Sequence, residues 1–219
     1  MDLLDFARGP ALQAAIGIFV FGTVWRLVSL FLLPRLKEHS SARPGSRPAA
    51  VAGLREIGRR MWPDHEFAQR ALFHWVNGYV FHIGLFIVVF FCAPHILFIE
   101  DLFGLSWGHL PNNLIFGIGV VTLGSMIAAL VRRIVNPVQR TLSHFDDYFS
   151  WVVTFLPVLT GVVAASHLGA RYETLLALHM LSVDLLLIWL PFGKLMHWVL
   201  VFVTRAQTGA HLNHRGAQL

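Results

Sequence analysis

The chain has 219 residues, of which 56% are hydrophobic and only 13% are charged. Because soluble domains carry about 25% charged residues, this composition excludes an ordinary water-soluble globular protein and indicates an integral membrane protein. The single cysteine, Cys92, excludes an internal disulfide and an iron–sulfur cluster held by this chain alone. The net charge of +5 is typical of basic cytoplasmic loops, so nucleic acid is not expected as a partner.

Five apolar stretches are long enough to cross a bilayer, whose core needs roughly 20 residues of helix. We therefore predict an all-α membrane protein with one domain over residues 1–219, built as a bundle of five transmembrane helices. The predicted spans are about 11–33, 71–98, 114–135, 148–167 and 174–204. The first span is predicted to be retained rather than cleaved, because no small-residue cleavage site follows it.

The basic residues are distributed unevenly among the predicted loops. Loop 34–70 carries eight of them, whereas loop 93–113 carries none and contains Glu100 and Asp101. The eight are Arg35, Lys37, Arg43, Arg47, Arg55, Arg59, Arg60 and Arg70. By the positive-inside rule, the N-terminus is predicted outside and the C-terminus in the cytoplasm of a bacterial or archaeal inner membrane.

Loop 34–70 has two parts of different composition. "SSARPGSRPAA" is rich in proline, glycine and serine, which predicts a flexible segment. "VAGLREIGRRMWPDHEF" has the spacing of an amphipathic helix. This second part either lies on the membrane surface, binds a partner, or forms a solvated basic loop.

Histidines inside the predicted spans are the residues that point to chemistry. An ionisable side chain in a bilayer costs several kcal/mol and marks a functional site, and neutral imidazole is an axial ligand of haem iron. His179 and His197 are 18 residues apart, so in one ideal helix they share a face with a rise of about 27 Å. That spacing suits two haems stacked across the bilayer. The alternative is two unrelated histidines near helix ends.

The second predicted span should supply the partner imidazoles. His82 and His95 lie about 20 Å apart along an ideal helix but about 140° apart around it. Pro94 can bend or unwind this end of the span and so re-aim His95. His74 is the rival of His82 as the ligand nearer the cytoplasm.

Two motifs resemble those of a known family. "VFHIGLF" around His82 and "LHMLSVDLLLIWLPFGKLMH" ending at His197 resemble the gamma subunit of respiratory nitrate reductase, a five-span dihaem cytochrome b whose N-terminus is outside. "APHI", "LFGLSW", "DDYFSW" and "PFGKLMH" are similar to one branch of that family, the membrane cytochromes b of transmembrane redox complexes of the Tmc, Hme and Dsr type. The resemblance covers predicted spans two to five.

The resemblance implies four ligands for two haems b. His82 and His197 would bind the haem nearer the cytoplasm, and His179 the haem nearer the outside. In the nitrate reductase pattern the fourth ligand stands ten residues after the first span-two histidine, where this chain has Cys92. We therefore expect His95 as the substitute, with Cys92 and His74 as the alternatives. Without the second site, one haem would remain.

The resemblance also implies a function and partners. The chain would be the electron-transfer subunit of an oxidoreductase complex, not a complete enzyme, with no catalytic residue of its own. It would exchange electrons between the quinone pool and a cytoplasmic iron–sulfur protein, in either direction. The quinone site is expected near the outer haem, around His95, Glu100 and Asp184.

One arginine and two competing functions complete the predictions. Arg26 falls in the cytoplasmic half of the first span, where it would either bind a haem propionate or snorkel to the interface.

The competing functions are a cofactor-free membrane anchor or assembly subunit, and a transporter with a proton relay of histidine and aspartate. Five spans without an internal repeat disfavour the transporter.

Overall fold

The computed structural model describes residues 2–34, 39–167 and 169–217, and over these ranges it contains helices and no strands. Arg35 and Lys37, counted above in the basic loop, lie outside the described residues. In chain order the helices are α1 (Leu3–Leu32), α2 (Ala49–Arg59), α3 (Ala68–Phe91), α4 (Ala93–Phe103), α5 (Asn112–Val135), α6 (Pro137–Leu142), α7 (Phe145–Ser166), α8 (Tyr172–Trp189) and α9 (His197–Arg215). Helix α1 contains a π-helical segment, Ala7–Ala11.

Five of these helices, α1, α3, α5, α7 and α8, are long and apolar enough to cross a membrane. This finding confirms the predicted all-α class and the number of spans. Large apolar side chains on the spans are exposed, such as Phe21 at 69% and Leu32 at 76%. Since an exposed apolar surface of this extent is costly in water, these faces are suited to contact with lipid.

Successive spans alternate in direction, so the bundle has two ends. We call the end at which α1 and α8 finish and α7 begins the basic end, and the other the opposite end. At the basic end, Arg133 of α5 forms an ion pair with Asp147 in the first turn of α7, at 3.1 Å. Lys194, after α8, pairs with the same carboxylate at 2.6 Å. Asp147 therefore joins three parts of the bundle.

The predicted second span is two helices, not one. Cys92 has an extended backbone (φ −78°, ψ 127°), so α3 ends at Phe91 and α4 begins at Ala93. Pro94 has no N–H to donate to the carbonyl of Phe90. That carbonyl instead accepts from the Trp107 indole Nε1 at 2.6 Å. The expected bend at Pro94 is confirmed, whereas a continuous helix over 71–98 is wrong.

The predicted fifth span also ends early, at Trp189. Pro191, two residues later, cannot continue the helix without losing a hydrogen bond and clashing with the preceding turn. It is fully buried against α1, where a Cβ added to Gly22 would lie 2.8 Å from its ring. A single helix over 174–204 is therefore wrong, and so is the premise that His179 and His197 lie on one helix face.

Helix α2, from the basic loop, packs antiparallel against the C-terminal helix α9. Two glycines permit the close approach. A Cβ on Gly53 would lie 3.0 Å from the carbonyl oxygen of Ala206, and one on Gly209 would lie 2.7 Å from that of Ala52. The predicted helical spacing of this segment is thus confirmed, and its apolar small residues contact a helix of the same chain.

Candidate functional site

Two histidines meet near the basic end, one from the middle of α3 and one from the first position of α9. The ring centroids of His82 and His197 are 6.1 Å apart, and the ring planes are at 83°. The Nδ1 of His82 lies 2.7 Å from the carbonyl oxygen of Gly78, and that of His197 lies 2.9 Å from the carbonyl oxygen of Lys194. A carbonyl only accepts, so Nδ1 carries the proton in both rings and Nε2 keeps its lone pair.

A second pair lies towards the opposite end. The ring centroids of His95 and His179 are 6.0 Å apart, and the planes are nearly parallel, at 16°. His95 Nδ1 donates to the carbonyl of Val88 at 3.0 Å, which is free because α3 stops at Phe91. The break between α3 and α4 therefore both turns His95 towards His179 and supplies its hydrogen-bond acceptor.

The tautomer of His179 is determined through a hydroxyl group of α7. The Thr160 hydroxyl donates to the carbonyl of Leu156 at 2.7 Å, so its oxygen is left to accept from His179 Nδ1 at 3.2 Å. Next to it, a Cβ on Gly161 would lie 3.1 Å from Cε1 of the same ring. Glycine therefore lets α7 approach the imidazole edge, and Nε2 of His179 is again left as the free acceptor.

Both centroid separations are those expected for two imidazoles that would hold one metal ion. A metal–imidazole bond is about 2 Å, and Nε2 lies about 1 Å from the ring centre, so two such rings are centred about 6 Å apart. In ligating histidines the other ring nitrogen donates to a carbonyl or similar acceptor, as the four rings do here. Among residues 2–34, 39–167 and 169–217, no group of three or more His, Cys, Asp or Glu could hold a metal ion.

The turn that carries His197 is attached to the start of α7. The carboxylate of Asp146 accepts from the backbone N–H of Lys194 at 3.2 Å and from the Ser150 hydroxyl at 2.8 Å. The Trp189 indole donates to the same hydroxyl at 2.9 Å. These contacts connect the last residue of α8 and the turn after it to α7, and thereby determine where α9 begins.

A cavity of about 370 Å³ lies beside His197, between α3, α5, α7 and the turn after α8. Its polar lining includes Arg132, Arg133, Lys194, Asp147 and His74. His74 Nε2 lies 3.4 Å from Nε2 of Gln139. The structure thus brings His82, rather than His74, to His197.

The remaining predicted site residues do not contribute a ring to either pair. Arg26 is exposed on α1, and Glu100 is exposed and accepts from the Ser106 hydroxyl at 3.0 Å. Asp184 is only 4% exposed on α8, and neither of its carboxylate oxygens has a hydrogen-bond partner in the described part of the chain. Cys92 is half-buried at the break between α3 and α4, where its carbonyl accepts from the backbone N–H of His95 at 3.1 Å.

Sequence reasoning missed several residues that position the imidazoles. In the sequence, Thr160 is a hydroxyl-bearing residue and Gly161 a residue without a side chain within an apolar span. Nothing local connects either residue with His179, which follows 18 or more residues later. Asp146 lies in the first turn of α7, where acidic residues are common, so the sequence gives no reason to single it out. Its hydrogen bond to the backbone of Lys194 depends on the tertiary fold.

The sequence is 31% identical over 215 residues to a protein of Nitratidesulfovibrio vulgaris (strain Hildenborough), and the match covers 93% of this chain and 91% of that one. This chain belongs to the same family as that protein. The two proteins are therefore similar over nearly the whole length of each chain. No family model matches the sequence, and no solved structure matches it.

Proposed function

We propose that this protein is a b-type dihaem cytochrome subunit of a respiratory membrane complex. It would transfer electrons between the quinone pool and a cytoplasmic iron–sulfur protein. The observation that carries the proposal is the pair of imidazole pairs, with ring centroids 6.1 and 6.0 Å apart and all four Nδ1 atoms engaged as donors. Each pair offers two Nε2 lone pairs, and the described residues add no third ligand to either pair, which suits a macrocycle that supplies the other nitrogens.

The residues of the chain would have three roles at these sites. Two imidazoles would hold each haem through Nε2, those of His82 and His197 at one site and those of His95 and His179 at the other. The acceptors on Nδ1 hold each ring in one tautomer and raise the basicity of the ligating nitrogen. The apolar helices around the rings exclude water and lower the local dielectric constant, one of the factors that set a haem potential. Bound haem supplies the one-electron redox chemistry.

The two sites lie at different depths of the bundle. His82 is in the body of α3, nine residues before its end at Phe91, which corresponds to about 14 Å of helix rise. His95 lies beyond that end. With the basic end in the cytoplasm, as the positive-inside rule favours, the His82–His197 pair would be nearer the iron–sulfur partner. The His95–His179 pair would be nearer the outer side.

Partners follow from what the chain lacks and where its polar groups lie. One cysteine cannot hold an iron–sulfur cluster, so the cluster belongs to a separate cytoplasmic protein. Quinone would react near the His95–His179 pair, towards the end where Glu100 lies. Asp184 of α8 lies five residues after His179, on the side of the basic end, and its buried carboxyl group has no hydrogen-bond partner among the described residues. It is the candidate proton-carrying group for that step.

The test is the haem content of protein purified in detergent from its native membrane. We expect two haems b per chain in the reduced-minus-oxidised spectrum and the haemochrome assay, and reduction of both by an added quinol. His197→Ala and His95→Ala should each retain about one haem, because each removes one of two axial ligands. His74→Ala on α3 is the matched control and should retain both.

Three results would count against the proposal. Wild-type protein without haem would favour a cofactor-free anchor or assembly subunit. Unchanged haem content in His197→Ala would refute the assignment of the pair near the basic end. If an added quinol does not reduce the haems, the proposed exchange of electrons with the quinone pool is wrong.

A further inference from the structure

The cavity beside His197 carries more positive than negative charge. Three cationic side chains line it, Arg132, Arg133 and Lys194, and among the described residues Asp147 is the one carboxylate in its lining. Asp147 already pairs with Arg133 at 3.1 Å and with Lys194 at 2.6 Å. No ion pair to Arg132 is found in the part of the chain that the structure describes. One cation of the cavity thus lacks a counter-ion.

Arg132 is half-buried, and the buried part of its guanidinium makes this lack costly. Its Nε is buried and has no hydrogen-bond partner among the described residues. Its guanidinium carbon lies 4.6 Å from the centroid of the Phe73 ring of α3, which holds the group against that helix. A buried donor of a charged group without an acceptor costs more than an unpaired neutral donor. An anion in this cavity would remove that cost.

The cavity extends from Arg132 to the histidine pair. His197 lines it directly, and so does Gly78, whose carbonyl accepts from His82. A Cβ added to Gly78 would meet nothing within 4 Å, so there is room along this face of α3. Guanidinium forms two parallel hydrogen bonds to a carboxylate, and haem carries two propionate carboxylates.

We propose that Arg132 is the anion-binding group of this cavity and takes a propionate carboxylate of the haem bound by His82 and His197. The inference rests on the proposed function and names a residue for it that the sequence did not indicate. Arg26, the sequence-based candidate, is exposed on α1 and does not line the cavity. Arg133 is already paired with Asp147. Of the two arginines, Arg132 is therefore the one whose guanidinium has no ion pair in the described part of the chain.

The test compares Arg132→Gln with Arg26→Gln, each as full-length protein purified with its haem. The haem of the His82–His197 pair should transfer to apomyoglobin about tenfold faster from Arg132→Gln than from the wild type, as expected for the loss of one charge-assisted interaction. The midpoint potential of that haem should fall, because removal of a nearby positive charge favours ferric iron. Arg26→Gln should match the wild type in both respects, and Arg132→Lys should lie between.

A second experiment varies the haem instead of the protein alone, and it distinguishes a haem carboxylate from a lipid phosphate as the anion that Arg132 binds. Protein depleted of haem is reconstituted with haem b or with its dimethyl ester, which has no carboxylate. We expect the ester to dissociate about tenfold faster than haem from wild-type protein, and at the same rate from wild-type and Arg132→Gln protein. Equal retention of haem and ester by the wild type, with loss of bound phospholipid phosphate in Arg132→Gln, would assign Arg132 to lipid and overturn the proposal.

The two proposals fail separately. Wild-type protein without haem refutes both. Wild-type and Arg132→Gln proteins that hold two haems with the same potentials and dissociation rates refute only the role of Arg132. A larger effect in Arg26→Gln than in Arg132→Gln would restore the prediction made from the sequence.

Discussion

Gly193 illustrates how one residue determines where a distant imidazole lies. It stands in the turn after α8, where a Cβ would come within 2.8 Å of Cε2 of Trp189 and 3.0 Å of Oδ1 of Asp146. Both of these side chains belong to the network that positions the turn. Glycine is therefore required here for close approach, and His197 begins α9 four residues later.

We expect Gly193→Ala to lose most of the haem proposed for the His82–His197 pair and to retain the haem proposed for the His95–His179 pair. An added methyl group in a closely packed site costs about 1–3 kcal/mol and shifts the surrounding backbone. Haem per chain and the reduced-minus-oxidised spectrum measure the effect. Gly124→Ala on α5 is the control, since a Cβ there meets nothing within 4 Å. Full haem content in Gly193→Ala would show that the turn does not position His197.

Helix breaks, rather than helix faces, bring the imidazoles together. Each pair joins a residue within a span to a residue placed by an interruption, after Phe91 in one pair and after Trp189 in the other. The broken ends are satisfied by distant groups. The carbonyl of Phe90 accepts from Trp107, and the carbonyl of Phe91 accepts from the backbone N–H of Leu110 at 3.0 Å. In a membrane such replacement is required, because unpaired backbone groups are costly in lipid.

We expect Pro94→Ala to lose haem selectively from the His95–His179 pair. The substitution restores an N–H that can donate to the carbonyl of Phe90, in competition with Trp107, and so favours a straight helix that turns His95 away. Proline disfavours a helix interior by about 3 kcal/mol relative to alanine, so the change in preference is large. The measurements are the number of haems per chain and the contribution of each haem to the reduced-minus-oxidised spectrum.

Pro137→Ala serves as the control for Pro94→Ala. Pro137 is the first residue of α6, a position at which proline is tolerated, so both haems should remain. If Pro94→Ala also keeps two haems, Cys92 and the Trp107 contact suffice to hold the break.

At the scale of the whole molecule, the hairpin of α2 and α9 joins the basic loop to the C-terminal helix. Glu56 of α2 is 4% exposed, and its carboxylate pairs with Arg59 at 2.9 Å and also with Arg60. The hydrogen bond from Arg59 lowers the pKa of Glu56 below its ordinary value of 4.5, against the opposing effect of burial. Beyond these residues, Asn213 of α9 donates to the carbonyl of Arg47 at 2.9 Å.

The lowered pKa of Glu56 predicts a pH dependence of this hairpin. A carboxylate whose pKa is lower in the folded state contributes stability above pH 4.5 and loses it as the pH falls through the folded-state value. We expect proteolysis within residues 39–48 to accelerate below pH 4.5. Glu56→Gln should be cleaved faster already at pH 7, since hydrogen bonds to charged groups contribute about 1.5–3 kcal/mol.

The control for Glu56→Gln is Glu173→Gln, which alters an exposed pair with Arg171 at 3.6 Å at the opposite end of the bundle. It should leave the cleavage rate at wild-type values, because exposed ion pairs contribute little. An acid-stable protease and a short digestion are needed for the low-pH arm. A cleavage rate in Glu56→Gln that equals the wild-type rate at pH 7 would refute the role of the carboxylate in the hairpin.

The sequence by itself determined the five spans and the set of histidines from which the pairs are drawn. Both are local properties, because the length of an apolar run and the presence of an ionisable group within it depend on no other part of the chain. The same locality explains the errors. Continuous helices over 71–98 and 174–204 were predicted because hydropathy does not register where the backbone breaks.

The resemblance implied the pairs His82 with His197 and His95 with His179, but only the tertiary structure brings the rings of each pair together and decides which cation lies near them. His74 and His82 both lie on α3, and the choice of His82 depends on where α9 begins. That position is determined by hydrogen bonds from Trp189 and Lys194 to α7, between residues about 40 or more positions apart. Likewise, Arg132 has no ion pair among the described residues, whereas Arg133 and Lys194 both pair with Asp147. Such contacts join residues distant in sequence, and so no local pattern encodes them.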